Sequence, residues 1–260
     1  MNLANLIAGF GVGAAVGMTG VGGGSLMTPI LVLMFGYSPV TAVGTDLWFA
    51  AVTKIVGGTM HHRSGTVDWE VMRRLSLGSL PAAVATVTWM HYTGMGPSKQ
   101  GFVLHALGVV LLLTAIVMLA RHKLQSFGAR WRTTTPASFK KVQPPLTVLA
   151  GIILGVLVSL TSVGAGALGT VMLLYLYPLR MNPARLVGTD IVHAIPLTIV
   201  AGTGYLLMGD VNLPLLGNLL VGSIPGVLVG TLIASRAPEV FMRSAIALIL
   251  AAVSVKLLLS

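Results

Sequence analysis

Long apolar stretches dominate the chain, and short polar loops separate them. Seven such stretches follow the first segment: 47–60, 75–90, 102–120, 146–160, 191–208, 213–234 and 241–259. A helix needs about 20 mostly apolar residues to cross a bilayer, so several of these stretches span it once flanking residues are added. The pattern predicts an all-α polytopic membrane protein.

The composition agrees with this prediction. Hydrophobic residues make up 55% of the chain and charged residues 8%, with a mean hydropathy of +0.92; average soluble domains have about 25% charged residues. The chain has no cysteine for a disulfide or a thiolate site. The chain has a net charge of +10, and most of its basic residues lie in short loops between the apolar stretches. This pattern indicates how the protein is oriented in the membrane rather than nucleic-acid binding.

The sequence repeats itself at a spacing of 144 residues. At this spacing "PVTAVGTD" (39–46) falls on "PARLVGTD" (183–190), and "GTVD" (65–68) falls on "GDVN" (209–212). Two residues short of it, "TGVGGGSLMT" (19–28) falls on "TSVGAGALGT" (161–170). We therefore expect two homologous halves and the following division: a first transmembrane repeat 1–121, a basic linker 122–143 and a second transmembrane repeat 144–260.

The region around the linker is basic and has no acidic residue: Arg121, Lys123, Arg130, Arg132, Lys140 and Lys141. The positive-inside rule therefore predicts a cytoplasmic linker. If each half holds three spanning helices and one glycine-rich broken or re-entrant hairpin, most of the 16 Lys and Arg residues lie inside, and the halves are inverted. The alternative of eight full spans gives a poorer charge distribution.

Residues 3–35 contain the glycine-rich stretch and do not suit a straight span. As one helix they would measure about 50 Å, against a hydrocarbon core of about 30 Å. We expect two half-helices that meet at the glycines. Half-helix ends expose N–H groups that bind anions, and facing broken helices are typical of secondary transporters.

This geometry predicts a midplane anion site with contributions from both halves: Thr19, Gly22, Gly23, Gly24, Ser25, Thr161, Ser162, Gly164 and Gly166. The alternative is that these small residues only permit close helix packing.

The twin "GTD" motifs add Thr45, Asp46, Thr189 and Asp190 to the candidate substrate site. Each aspartate follows a proline-containing turn, so one interpretation is an N-cap that satisfies free backbone N–H groups. The other is a carboxylate that takes up a proton or orients the neighbouring threonine, because ionisable groups inside membranes are often functional.

Lys54 and His193 complete the candidates for charge or proton coupling, together with Asp46 and Asp190. Lys54 lies inside a span and can offset an anion's charge; alternatively it reaches the interface or pairs with Asp46. His193 stands where the first half has Phe49, and it is either a proton carrier or a hydrogen-bonded packing residue. We expect no metal site and no cofactor.

"GMTGVGGGSLMTP", "VGTD" and "GTVDW", with a second "VGTD" after the basic linker, resemble the sulfite exporter TauE/SafE family of membrane permeases. Ser162 and Ala165 depart from the glycine-richer pattern of the first half. The resemblance implies a small sulfur-containing or organic anion as the substrate, such as sulfite, a sulfonate or sulfoacetate.

These observations predict a secondary transporter of a small anion, not an enzyme, as a multi-pass protein of the cell inner membrane. Its partners are the anion, the lipid bilayer and a proton or another coupling ion, with no nucleic acid; its oligomeric state stays open. The chain has no GxxxxGK[ST] loop for ATP. Two alternatives remain: an anion channel of the same architecture, and an intramembrane aspartyl protease, although "VGTD" is not the GxGD of such enzymes.

The inverted arrangement can be tested in this cysteine-free chain. A single cysteine at Arg236 should react only from the cytoplasmic side, because the inverted topology puts that loop inside. The measurement is labelling of intact cells with a membrane-impermeant maleimide. Labelling from outside would rule out the inverted topology.

Overall fold

A computed structural model describes residues 3–19, 24–93, 97–134, 136–234 and 239–259. Over these ranges the chain forms ten α-helices and no β-strand: α1 Leu3–Thr19, α2 Gly24–Leu33, α3 Pro39–Arg63, α4 Trp69–Thr93, α5 Pro97–Thr134, α6 Pro136–Thr161, α7 Ala167–Leu176, α8 Pro183–Leu207, α9 Leu213–Ala234 and α10 Glu239–Leu259. The prediction of an all-α protein is confirmed.

Five of these helices are long and apolar enough, in whole or in part, to cross a membrane: Pro39–Arg63, Gln100–Arg121, Phe139–Thr161, Pro183–Leu207 and Leu213–Gly230. This agrees with a polytopic membrane protein. The basic linker is not an open loop. Helix α5 continues past Arg121 to Thr134, and α6 begins at Pro136, so the linker is helical wherever the structure describes it.

The glycine-rich segments separate a longer helix from a short one. Helix α1 ends at Thr19 and α2 begins at Gly24; Gly22 and Gly23 lie outside the described residues. In the second segment, α6 ends at Thr161 and α7 begins at Ala167. Helices α2 and α7 have 10 residues each, but α6 has 26 residues and α1 has 17. The two breaks therefore follow helices of unequal length.

The turns that lead into α4 and α9 are built alike. Gly65 and Gly209 have φ angles of 63° and 79°, a left-handed conformation that glycine adopts without strain. The side chains of Asp68 and Asn212 then accept a hydrogen bond from the backbone N–H three residues further on, at 3.3 and 3.0 Å. Both residues thus cap the N-terminus of the helix that follows.

Helices α3 and α8 also begin alike, and this excludes one interpretation of the "GTD" motifs. Ser38 Oγ and Asn182 Oδ1 accept the N–H three residues further on, at 3.2 and 2.8 Å. Asp46 and Asp190 lie about two turns inside the same helices. The N-cap interpretation of these aspartates is therefore wrong, because Ser38 and Asn182 already occupy the cap positions.

Helix α1 packs along α9, and α6 packs along α4. Glycines line both contacts, at positions where a β-carbon would strike the backbone of the facing helix: Gly9, Gly13, Gly222, Gly226 and Gly230 between α1 and α9, and Gly78, Gly151 and Gly155 between α4 and α6. Many of them are four residues apart, the small-residue spacing that allows membrane helices to approach closely. Helices α3 and α8 also pack against each other, as do α5 and α10.

We expect Gly222→Ala to lower the stability of the protein by about 1–3 kcal/mol, because its new methyl group would overlap backbone atoms of Leu6 and Phe10. The measurement is thermal unfolding of the detergent-purified protein.

Gly217→Ala is the matched control. Gly217 lies in the same helix, and a β-carbon there has no neighbour within 4 Å. Equal unfolding temperatures for the two variants would contradict the close helix contact.

Candidate substrate site

Two buried aspartates mark the centre of the helix bundle. Asp46 in α3 and Asp190 in α8 are 0% and 3% exposed, and their two helices are in contact. Asp46 Oδ1 and Asp190 Oδ1 both lack a hydrogen-bond partner. Buried polar atoms without partners are rare in folded proteins, so these oxygens indicate a site for a proton, a water molecule or a ligand.

Asp46 is held by the short helix α2. Thr28 Oγ1 donates a hydrogen bond of 2.5 Å to Asp46 Oδ2, and both side chains are fully buried. The hydroxyl of Ser162 also lies near Asp46, but it makes no hydrogen bond of normal geometry. Thr28 is not among the site residues predicted from the sequence, although the threonine at the matching repeat position, Thr170, was a signal for it.

Asp190 lies in different surroundings. A β-carbon at Gly169 in α7 would strike Asp190 Oδ1, so glycine is what leaves room for this carboxylate. The matching position in α2 holds Met27, which is fully buried. The two aspartates are therefore equivalent in sequence but not in environment, and only Asp46 receives the threonine hydroxyl.

Lys54 is a buried cation whose charge interacts with both carboxylates. It is 6% exposed, it interacts with both Asp46 and Asp190, and its Nζ donates a hydrogen bond of 2.7 Å to the carbonyl of Ala165. Lys54 is therefore enclosed by the protein and does not extend to its surface. Its ammonium group instead binds the turn between α6 and α7, at the second helix break.

His193 belongs to the same region. Its Nε2 is 2.8 Å from Ser79 Oγ of α4, its Nδ1 has no partner, and its ring is 0% exposed. It interacts electrostatically with Lys54. These contacts fit a hydrogen-bonded packing histidine, and they also leave one ring nitrogen without a partner.

The break between α6 and α7 has an unusual backbone. Ser162, Gly164 and Gly166 have φ angles of 58°, 116° and 152°. Thr161 Oγ1 accepts the N–H of Val163 at 3.2 Å and stabilises the turn. Gly166 precedes α7 without any side-chain cap, so the first N–H groups of this helix receive no side chain at that position.

At the first helix break, the structure describes the end of α1 and the start of α2. Thr19 ends α1 and Gly24 and Ser25 begin α2, while Gly22 and Gly23 lie outside the described residues. Thr28, three residues beyond Ser25, links this short helix to Asp46.

Thr45 and Thr189 join the two halves of the chain. Thr45 Oγ1 accepts the backbone N–H of Asn212 at 3.1 Å, and Thr189 Oγ1 accepts that of Asp68 at 2.9 Å. Both threonines were expected to bind substrate. In this structure each anchors its "GTD" motif to the turn of the other half and so fixes the helix turn that carries the aspartate.

The preceding glycines belong to the same joints. A β-carbon at Gly44 would lie 2.5 Å from the carbonyl oxygen of Asp210, and one at Gly188 would lie 2.7 Å from that of Thr66. These partners are themselves 144 residues apart. The "GTD" motif and the "G-x-V-D/N" turn are thus the two sides of one contact, which occurs twice.

Among the residues that the structure describes, an ion network strengthens one of these two joints. Arg180, between α7 and α8, donates to both carboxylate oxygens of Asp68 at 2.7 and 2.8 Å and to Glu70 at 2.7 Å. The hydrogen bond and charge of Arg180, together with Arg74, hold the pKa of Glu70 below its usual range. The other joint has Asn212 and Pro214 at the positions of Asp68 and Glu70.

A helical bundle with five candidate spans and a buried charged centre defines a polytopic membrane protein. The chain matches the family "Sulfite exporter TauE/SafE" over residues 5–257, and it belongs to this family. The protein is therefore a membrane transporter and not an enzyme.

Three relatives carry names of the same kind. The chain is 36% identical to the "Probable membrane transporter protein YjnA" of Bacillus subtilis (strain 168) over 84% of each chain. It is 30% identical to YdhB of the same organism over 80% of each chain. It is 25% identical to MJ0441 of Methanocaldococcus jannaschii over 81% of this chain and 78% of that one. No solved structure matches the chain.

Arg180→Gln should lower stability by about 1–3 kcal/mol, because the Asp68 carboxylate stays buried and loses a charged donor. The exposed Arg73→Gln is the matched control for charge removal. Thermal unfolding of the purified variants measures both effects.

Adding Asp68→Asn to Arg180→Gln should recover part of the loss, because Asn212 shows that asparagine caps the equivalent turn. An Arg180→Gln variant that unfolds at the wild-type temperature would mean that the network does not stabilise this joint.

Proposed function

We propose that this protein is a secondary transporter that carries a small anion, sulfite or an organic sulfonate or acid, across the cell inner membrane. The anion binds beside Lys54. The observation that carries this proposal is a buried ammonium group bound to the α6–α7 break, next to polar atoms without partners. A buried cation inside a membrane protein commonly marks a substrate pathway.

The free hydrogen-bonding groups near Lys54 support an anion as the ligand. Ser162 Oγ can donate a hydrogen bond, and so can His193 Nδ1 in one of its tautomers. The N-terminus of α7, behind Gly166, adds backbone N–H groups and the positive end of a helix dipole. Together they would surround a small oxyanion with donors, and Lys54 would balance its charge.

The role of the carboxylates follows from their charge. A bare aspartate repels an anion, so Asp46 and Asp190 do not act as direct ligands in their charged forms. Asp46 orients Thr28 and the start of α2, and we propose that Gly22, Gly23, Gly24 and Ser25 bind the anion from that side. Thr45 and Thr189 act indirectly, because they fix the helix turns that bear the aspartates.

We also propose that residues 1–121 and 144–260 are inverted repeats joined by a cytoplasmic linker. The reciprocal contacts support this: α1 packs on α9 as α6 packs on α4, and the two threonine joints are related by the same spacing. The basic residues of the linker support the cytoplasmic side. Inverted halves that meet at a central site are a common construction of alternating-access transporters.

Lys54→Gln should reduce transport at least tenfold while the protein stays folded, because it removes the charge that compensates the anion. The assay is uptake of sulfite and of a small alkanesulfonate by proteoliposomes, with chloride as a comparison anion. Lys123→Gln, an exposed linker variant, is the matched control and should transport normally.

Counterflow in the same vesicles distinguishes a carrier from a channel. In vesicles loaded with unlabelled anion, only a carrier accumulates the labelled anion above its outside concentration, because it exchanges one for the other at a single site. Wild-type transport rates in a folded Lys54→Gln variant would exclude Lys54 as the anion's partner. Flux without saturation and without counterflow would favour the channel.

A further inference from the structure

The charges at the candidate site do not balance when an anion enters. Asp46 and Asp190 are both buried, and Lys54 supplies one positive charge against two carboxylates. With both carboxylates ionised and His193 neutral, the site carries one net negative charge. A monovalent anion would raise this to two, deep in a medium where unbalanced charges are very unfavourable.

The other groups around the carboxylates cannot correct this imbalance. Helix α4 contributes the Ser79 hydroxyl, and α2 contributes the Thr28 hydroxyl. The turn between α6 and α7 contributes the Ala165 carbonyl and the Ser162 hydroxyl. All of these groups are neutral, and an imidazolium at His193 would be repelled by Lys54. A proton on one of the two carboxylates is therefore the simplest charge that can accompany the anion.

The two carboxylates are not equally suited to accept that proton. Asp46 already accepts a short hydrogen bond from Thr28, an interaction that favours its charged form. Asp190 Oδ1 lies against Gly169 with no hydrogen-bond partner. A proton on the free Oδ1 atom of either aspartate would break no contact that the structure shows, but on Asp46 it would weaken the charged form that Thr28 stabilises. Among the described residues no hydroxyl donates to Asp190, so this carboxylate loses less when it accepts the proton.

We propose that Asp190 takes up one proton from water whenever an anion binds beside Lys54, and that it releases this proton with the anion on the other side of the membrane. The protein is then an anion–proton symporter in which Asp46 is a positioning residue. This inference rests on the proposed function, since it requires an anion at Lys54. The two aspartates occupy equivalent positions in the sequence repeat, but they have different roles: Asp190 carries the proton and Asp46 positions Thr28.

The test needs an anion that does not itself carry a proton near neutral pH. A small radiolabelled alkanesulfonate meets this condition, whereas sulfite does not. Proteoliposomes are given an inward proton gradient of about one pH unit, with potassium and valinomycin holding the membrane potential at zero. One proton per anion then allows about a tenfold accumulation, because one pH unit corresponds to about 1.4 kcal/mol.

Wild-type protein should accumulate the sulfonate under the gradient and should also catalyse counterflow without it. Asp190→Asn should lose the accumulation, because an amide cannot take up the proton, and any counterflow that it still catalyses should no longer respond to pH. Lys123→Gln, which lies outside the site, should keep both the accumulation and the counterflow of the wild type. Asp46→Asn should keep a response to the proton gradient, with weaker anion binding because the acceptor for Thr28 is altered.

Two outcomes would overturn the proposal while the proposed function stands. In one, the wild-type protein shows counterflow but ignores the proton gradient. In the other, Asp190→Asn accumulates the sulfonate as the wild type does. Absence of counterflow in folded wild-type protein would instead contradict the proposed function itself.

Discussion

The bilayer cannot satisfy charged or unpaired polar groups, and this constraint explains where the polar groups of the protein lie. Lys54, Asp46 and Asp190 are buried at the contact between α3 and α8, and the turn between α6 and α7 contacts the lysine there. Closely packed glycine-lined helices, α1 on α9 and α6 on α4, flank this centre. Irregular backbone and ionisable side chains are thus enclosed by protein.

The repeat gives the two halves the same connections but not the same chemistry. Both "GTD" motifs are fixed by a threonine that accepts an N–H from the opposite half. The surroundings of the two aspartates differ: Thr28 donates a hydrogen bond to Asp46, whereas Asp190 lies against Gly169. The joints differ as well, because the ion network of Arg180 belongs to one of them. In the proposed transport cycle this difference lets Asp190 take up the proton while Asp46 stays the acceptor of the Thr28 hydroxyl.

Much of the fold could be predicted from the sequence, because the length of an apolar stretch indicates whether it can span a membrane. The constant spacing between similar motifs identifies the repeat. The contact of Asp68 with Thr189 could not be predicted, since it depends on how the halves face each other. The N-cap interpretation of the aspartates failed although a signal existed: Ser38 and Asn182 each precede a proline, the usual order of an N-cap and the first helical residue. The sequence also shows that the repeat pairs Met27 with Gly169. That this glycine leaves room for the Asp190 carboxylate could be seen only from the structure.

The proposed function depends on an anion that binds beside Lys54, where the α6–α7 break meets α3. The most direct measurement is a cryo-electron microscopy map of the protein in nanodiscs with saturating alkanesulfonate, compared with a map without it. We expect new density within hydrogen-bond distance of Lys54 Nζ, with the lysine moved from the Ala165 carbonyl towards the ligand. Density at another place, with Lys54 still bound to Ala165, would contradict an anion site at Lys54.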